Sequence, residues 1–165
     1  MDPVASRPHM PGYGIAGPDE GTGLLPWVWA TQRLTGSHDY WLATVHPAGR
    51  PHVAPVWGVW HEDALWFSCG RQSRKARNLG HNPAAVATTD NPVEPVVVEG
   101  EATPVEERGT IAVFADLADA KYGTSYGVEF YGDPANACFR LEAHAAFGLT
   151  GDDFTGSPTR WVFAR

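Results

Sequence analysis

From Asp39 onward the chain alternates apolar and polar positions with a period of two, the spacing of strands that bury one face. Tyr40 to Val45 predicts a strand, His46 to Arg50 (H-P-A-G-R) a turn, and His52 to Trp60 a longer strand with Val53, Pro55, Trp57 and Val59 on one face. Glu62-Asp63 turns the chain into Leu65 to Cys69, and Ala84 to Thr89, Pro95 to Val105, Cys138 to Thr150 and Thr159 to Ala164 read as four more strands. A helical period interrupts this pattern three times. Trp27, Ala30 and Leu34 fall at i, i+3 and i+7 between Pro26 and Gly36. Ser73 stands at an N-cap position before Arg74 to Leu79, which Gly80 and Pro83 close. Ile111, Phe114 and Ala118 form the stripe of a longer helix with Lys121 in its last turn and Gly123 at its end, and Thr103-Pro104-Val105-Glu106 reads as its capping box. Seven strands, few helices and no βαβ alternation predict an antiparallel barrel or sandwich.

Composition narrows the picture. A chain of 165 residues with 43% hydrophobic and 19% charged residues is the size of one globular domain, and 18 Gly and 14 Pro punctuate it too often for a helical bundle. Residues 1 to 23 hold four prolines and five glycines without an apolar period, so they are expected to form a flexible N-terminal extension, with the folded domain spanning 24 to 165. The longest apolar stretch, Leu24 to Ala30, is too short to cross a bilayer, and no secretory leader pattern precedes it; a soluble, cytoplasmic protein is expected. Cys69 and Cys138 have neither disulfide-framework nor zinc spacing, and the seven histidines form no i, i+4 or H-x-H pair, so no metal site is expected. Twelve basic against 19 acidic residues, net −7, exclude a general nucleic-acid surface and leave a small molecule as the expected partner.

Gly12 to Gly17 spells G-x-G-x-x-G, but no strand leads into it and Pro11 and Pro18 bracket it, so it is read as a loop rather than a dinucleotide fingerprint. Ser73 and Lys75 are two apart, not the three that would set them on one helix face as an acylation pair. The run Arg71 to Asn78 is more informative: four of the chain's 12 basic residues fall within seven positions at the start of a helix. Free N–H groups, the Ser73 hydroxyl and these cations suit one phosphate, which favours an anion site over a solvated charged face. Among the seven tryptophans one or two are candidates to wall a planar ligand.

In order, Y-W-L-A-T-V (40–45), R-P-H-V-A-P-V-W (50–57), A-L-W-F-S-C (64–69), S-R-K-A-R-N-L (73–79), N-P (82–83) and V-V-V-E-G-E-A (96–102) resemble the pyridoxamine 5'-phosphate oxidase-like family of flavoproteins, in particular its small flavin and deazaflavin reductases. The resemblance implies a mainly β fold, an antiparallel six- to seven-stranded split β-barrel of Greek-key type with short helices. It also implies a homodimer with a flavin-type cofactor in the groove between subunits. Ser73, Arg74 and Lys75 correspond to the phosphate clamp, and His52, Val53, Ala54, Pro55, Val56 and Trp57 to the strand along the flavin ring. Ser68 and Cys69 correspond to the contacts with the ribityl chain or phosphate, and Arg160 and Trp161 to a C-terminal pair that reaches the cofactor of its own or of the partner subunit. The chain departs from the oxidases after Trp161 and at Pro95, so pyridoxamine phosphate oxidation itself is not expected. The expected activity is hydride transfer between F-420 or FMN and a small organic substrate; the alternative is a non-catalytic binder of FMN, deazaflavin or haem. Arg71 and Arg77 are available for the oligoglutamate tail of F-420, and ten Arg to two Lys is a usage of the GC-rich genomes that make it; both lean towards the deazaflavin.

Overall fold

The structure, a computed structural model, describes residues 2–164. Its strands are β1 (Val4–Ser6), β2 (Asp39–Val45), β3 (Pro51–His61), β4 (Ala64–Gly70), β5 (Ala84–Thr89), β6 (Val96–Val105), β7 (Asn136–Gly148) and β8 (Thr159–Val162). The helices are α1 (Trp27–Gly36), α2 (Arg74–His81), α3 (Arg108–Tyr122) and the single turn α4 (Gly127–Tyr131). All pairings are antiparallel, and β7-β4-β3-β2-β5-β6 close on themselves through β6–β7. The fold is therefore a six-stranded barrel, with β8 added beside the end of β7 and β1 beside β8.

The period of two works as expected on most strands. Tyr40, Leu42 and Thr44 of β2, and Val56, Gly58 and Trp60 of β3, turn inward and are buried. Burying each large apolar side chain contributes about 1.5–3 kcal/mol. The other face of β3 is outside: Val53 and Trp57 are exposed. The tight β3–β4 turn places both Glu62 (φ 50°) and Asp63 (φ 53°) in the left-handed region, as a two-residue type I′ hairpin requires. In β7 one residue, His144, is extra: Glu99 pairs with Ala145 and Gly100 with Ala143. A Cβ on Gly100 would lie 1.8 Å from the Glu142 carbonyl oxygen, so only glycine fits beside this bulge.

Three expectations are corrected. Residues 2–23 are docked, because β1 pairs with β8 and the Arg7 guanidinium donates to the carbonyls of Gly17, Glu20, Gly23, Gly156 and Pro158. This anchoring is a short backbone ladder plus side-chain donation to backbone carbonyls, neither of which leaves an apolar period to read. The α3 cap is Glu107, whose carboxylate accepts from the N–H groups of Gly109 and Thr110. Thr103–Val105 stay in the ladder instead, opposite Arg140–Cys138 of the long β7. Trp161 lies wholly inside the core, its indole N–H bonded to the Leu25 carbonyl and its ring against Trp27 and Trp29.

Two cores result. The main one fills the barrel and the space under α1. A smaller one, with Trp66, Ile111, Phe114, Ala118 and Cys138, holds α3 and α4 against the outer face of β4 and β7. Among the described residues no helix is long and apolar enough to cross a membrane.

Candidate functional site

β3 and β4 pair only between Gly58–His61 and Ala64–Phe67; beyond Gly58 and Phe67 they part. On its other edge β3 stays paired with β2 through the whole of Pro51–Trp57. Alternate residues of an antiparallel strand turn their N–H and C=O to opposite sides. Gly58, one step past the Asp39–Trp57 pair, donates its N–H to Tyr122 Oη, which donates in turn to the His38 carbonyl. Gly58, Val56 and Ala54 therefore face β2, and Val53, Pro55 and Trp57 present their backbone to the gap. Pro55 has no N–H to leave unpaired there, which is how a proline sits inside a strand of this length.

The gap is a cleft of about 360 Å³. Pro55, Val56 and Trp57 form one side, Ser68, Cys69 and Gly70 the other, and Lys75 stands at the α2 end. α3 and α4 roof it with Phe114, Tyr122, Tyr126, Phe130 and Tyr131. The Trp57 and Tyr122 rings are stacked at 4.2 Å with a 3° interplanar angle, and Tyr126 and Phe130 stack at 4.7 Å. Trp57, Tyr126 and Phe130 are all about half exposed, so apolar ring surface faces the opening.

The polar end is built by α2. Ser73 is its N-cap, its Oγ accepting from the Ala76 N–H at 3.3 Å. Asn78, fully buried, ties the helix to β2 by donating to Thr44 Oγ1 at 3.0 Å. Burial pushes the Cys69 thiol up, partly offset by a hydrogen bond with Ser73 and by the Lys75 charge, so Cys69 is a neutral lining group at pH 7. Lys75 is the one cation on the lining and has no carboxylate within ion-pair distance among the described residues. Arrangement and chemistry suit a flat ligand with an anionic end: ring stacking and backbone edges along β3, one unpaired ammonium at α2.

Six of the expected site residues thus line the cleft: Pro55, Val56, Trp57, Ser68, Cys69 and Lys75. Ser73 supports it from behind as the cap. His52 and Ala54 belong to the inward side of β3, and Val53 to its exposed side, all beyond the cleft. Arg74 and Arg77 are exposed on the hairpin side of α2, where, after partial desolvation, they and Arg50 hold His46 below its ordinary pKa. Arg71 does not line the cleft, and its guanidinium donates through Nε and Nη2 to the carbonyls of Pro134 and Asn136. Within one chain Arg160 lines a second hollow with His144, Glu99 and Pro51 rather than the cleft, and Trp161 is fully buried. The aromatic roof went unread in the sequence. Its signal is the spacing of Tyr122, Tyr126 and Phe130 at every fourth position, which runs across the helix stop at Gly123.

A family model described as pyridoxamine 5'-phosphate oxidase matches residues 30–149. No curated protein matches the chain. Among solved structures, one described as an F420 reductase is 24% identical, covering 70% of this chain and 93% of its own, with a TM-score of 0.58. A conserved hypothetical protein from Mycobacterium tuberculosis is 19% identical over 84% of this chain and 85% of its own, with a TM-score of 0.67. A heme binding protein from Mycobacterium smegmatis is 17% identical over 76% of this chain and 58% of its own, with a TM-score of 0.59. At these identities the likeness is one of fold.

Proposed function

Since the chain belongs to the pyridoxamine 5'-phosphate oxidase family, we propose that it is an oxidoreductase that holds a flavin-type coenzyme, F-420 or FMN, in the β3–β4 cleft and supports hydride exchange with a small organic substrate. The observation that carries this is the parting of β3 and β4 around a cleft with one free ammonium at one end and stacked aromatic rings at the other. A bound coenzyme of this type supplies the redox chemistry. The chain supplies position and exclusion of water. Lys75 and the α2 N-terminus hold an anionic group. The open edge of β3 directs the ring, and Tyr126, Phe130 and Tyr131 keep the opposite face dry. Among the described residues no carboxylate or histidine lines the cleft, so orientation and electrostatics would supply the rate.

The lean between the coenzymes is towards F-420. Arg50, Arg74 and Arg77 form a cluster beside α2 with no carboxylate in ion-pair reach among the described residues, and an oligoglutamate tail carries the charge to match it. The acting form is a cytoplasmic homodimer, favoured by the apolar outer face of β2 and β3, where Trp41, Val53 and Trp57 are exposed together.

The test is titration of the colourless apoprotein with F-420 and with FMN at one salt concentration, followed by ring fluorescence. Turnover is then read from the absorbance of the reduced coenzyme with candidate acceptors. Binding without turnover for any acceptor would favour a carrier, and no binding of either coenzyme would overturn the proposal. FMN bound tens of times more tightly than F-420 would reverse their order.

A further inference from the structure

Lys121 reaches back from the last turn of α3 beneath the aromatic roof. Its Nζ donates to the Gly58 carbonyl at 2.7 Å, to the Ser37 carbonyl at 2.6 Å and to Tyr40 Oη at 3.2 Å. The three acceptors belong to three elements: the strand that floors the cleft, the end of α1, and β2. Tyr40 Oη in turn donates to the Leu34 carbonyl in the last turn of α1. The ammonium lies over the Tyr40 and Tyr122 rings, at 4.7 and 5.2 Å from their centroids. The next residue, Tyr122, bonds the same Gly58 and carries the ring stacked on Trp57.

An ammonium has three protons to give, and here three acceptors take them; a neutral amine has only two. Loss of the proton leaves one of the three acceptors without the Lys121 donor and removes the cation from two ring faces. We propose that protonated Lys121 is a positioning residue that seats the Trp57–Tyr122 stack, so that the wall of the cleft is set at neutral pH and loosens in mild alkali. The consequence for coenzyme affinity rests on the function proposed above; the seating of the stack does not.

The surroundings bear on the titration. Burial lowers the lysine pKa to about 8, with Asp39 and Asp90 acting in the opposite direction. Tyr40 and Tyr122 are both held up by burial and keep their protons throughout this range. α1 offers carbonyls only, as its one cation, Arg33, is tied to Glu94. His38 remains as a second titratable group, set edge-on to the Trp57 and Tyr122 rings at 6.5 and 5.1 Å.

The experiment reads the stack in the full apoprotein by near-ultraviolet circular dichroism, as the difference between the native chain and Trp57→Phe, from pH 6.5 to 9.5. The native difference signal is expected to titrate near pH 8. Lys121→Met is expected to show the high-pH signal throughout, and Lys121→Arg, whose cation does not titrate here, the low-pH signal throughout. His38→Gln is expected to leave the transition in place. A flat native signal, a transition surviving in Lys121→Arg, or one lost in His38→Gln would overturn the assignment; these readings stand even if Lys121→Met does not fold. With coenzyme, Lys121→Met is expected to bind about tenfold more weakly at pH 7. A signal that titrates in a protein that binds neither coenzyme would sink the proposed function and keep the role of Lys121.

Discussion

At the scale of single residues, side chains that were equal in the sequence separate once placed. Ser73, Arg74 and Lys75 read as one clamp, but only Lys75 lines the cleft, while Arg74 is exposed on the far side of α2. Lys75→Ala is expected to weaken coenzyme binding by about 1.5–3 kcal/mol, on the order of 10- to 150-fold, the worth of a hydrogen bond to a charged group. Arg74→Ala is expected to cost much less for FMN than for F-420. Isothermal titration of both variants with both coenzymes checks this, and equal losses would restore the original clamp. Trp161 separates the other way: fully enclosed, Trp161→Ala is expected to cost about 3–5 kcal/mol of stability in a denaturant titration, as a core residue does. Charge and helix position made Lys75 legible. Nothing local distinguishes a tryptophan that walls a ligand from one that fills a core, because both are apolar residues on strands, and only the closing of the barrel decides between Trp57 and Trp161.

At the scale of elements, every strand of the closed barrel was legible, since most alternate and Gly, Pro or Asx residues punctuate the chain between them. The segments that escaped notice are tied by polar contacts. Glu107 caps α3, Asp119 accepts from Thr124, Tyr126 and Gly127 to set the α3–α4 corner, and Asp153 accepts from Thr22 and Gly156 to hold the N-terminal segment. In each case a threonine hydroxyl is the first cause, and backbone N–H groups add to it, in holding the carboxylate below its ordinary range. Because the folded pKa values are depressed, the stabilisation is present above the unfolded-state values near 4 and is lost as pH falls through the folded ones. The melting temperature is therefore expected to decline steeply below about pH 4. Glu107→Gln, Asp119→Asn and Asp153→Asn should each flatten that decline, and unchanged slopes in a calorimetric series would contradict it.

At the scale of the whole molecule, the exposed Trp41 and Val53 mark the face where a second copy is expected. Light scattering should give twice the chain mass for the native protein and the single mass for Trp41→Glu; a native monomer that still binds coenzyme would remove the need for a partner. The other whole-molecule feature is the strap made by β1 and Arg7. Arg7→Ala is expected to cost about 2 kcal/mol, a fall of roughly 4–8 °C in melting temperature by scanning calorimetry, and deleting residues 2–23 more than that. The strap also orders events in time. Val4 lies opposite Val162, so β1, which precedes every barrel strand in the chain, finds its partner only after nearly the whole barrel has been synthesised. Until then its edge has nothing to pair with, and β7 lacks β8 beside its last four residues. Both seams therefore stay open while the barrel strands are made, and the arrival of β8 is what closes them.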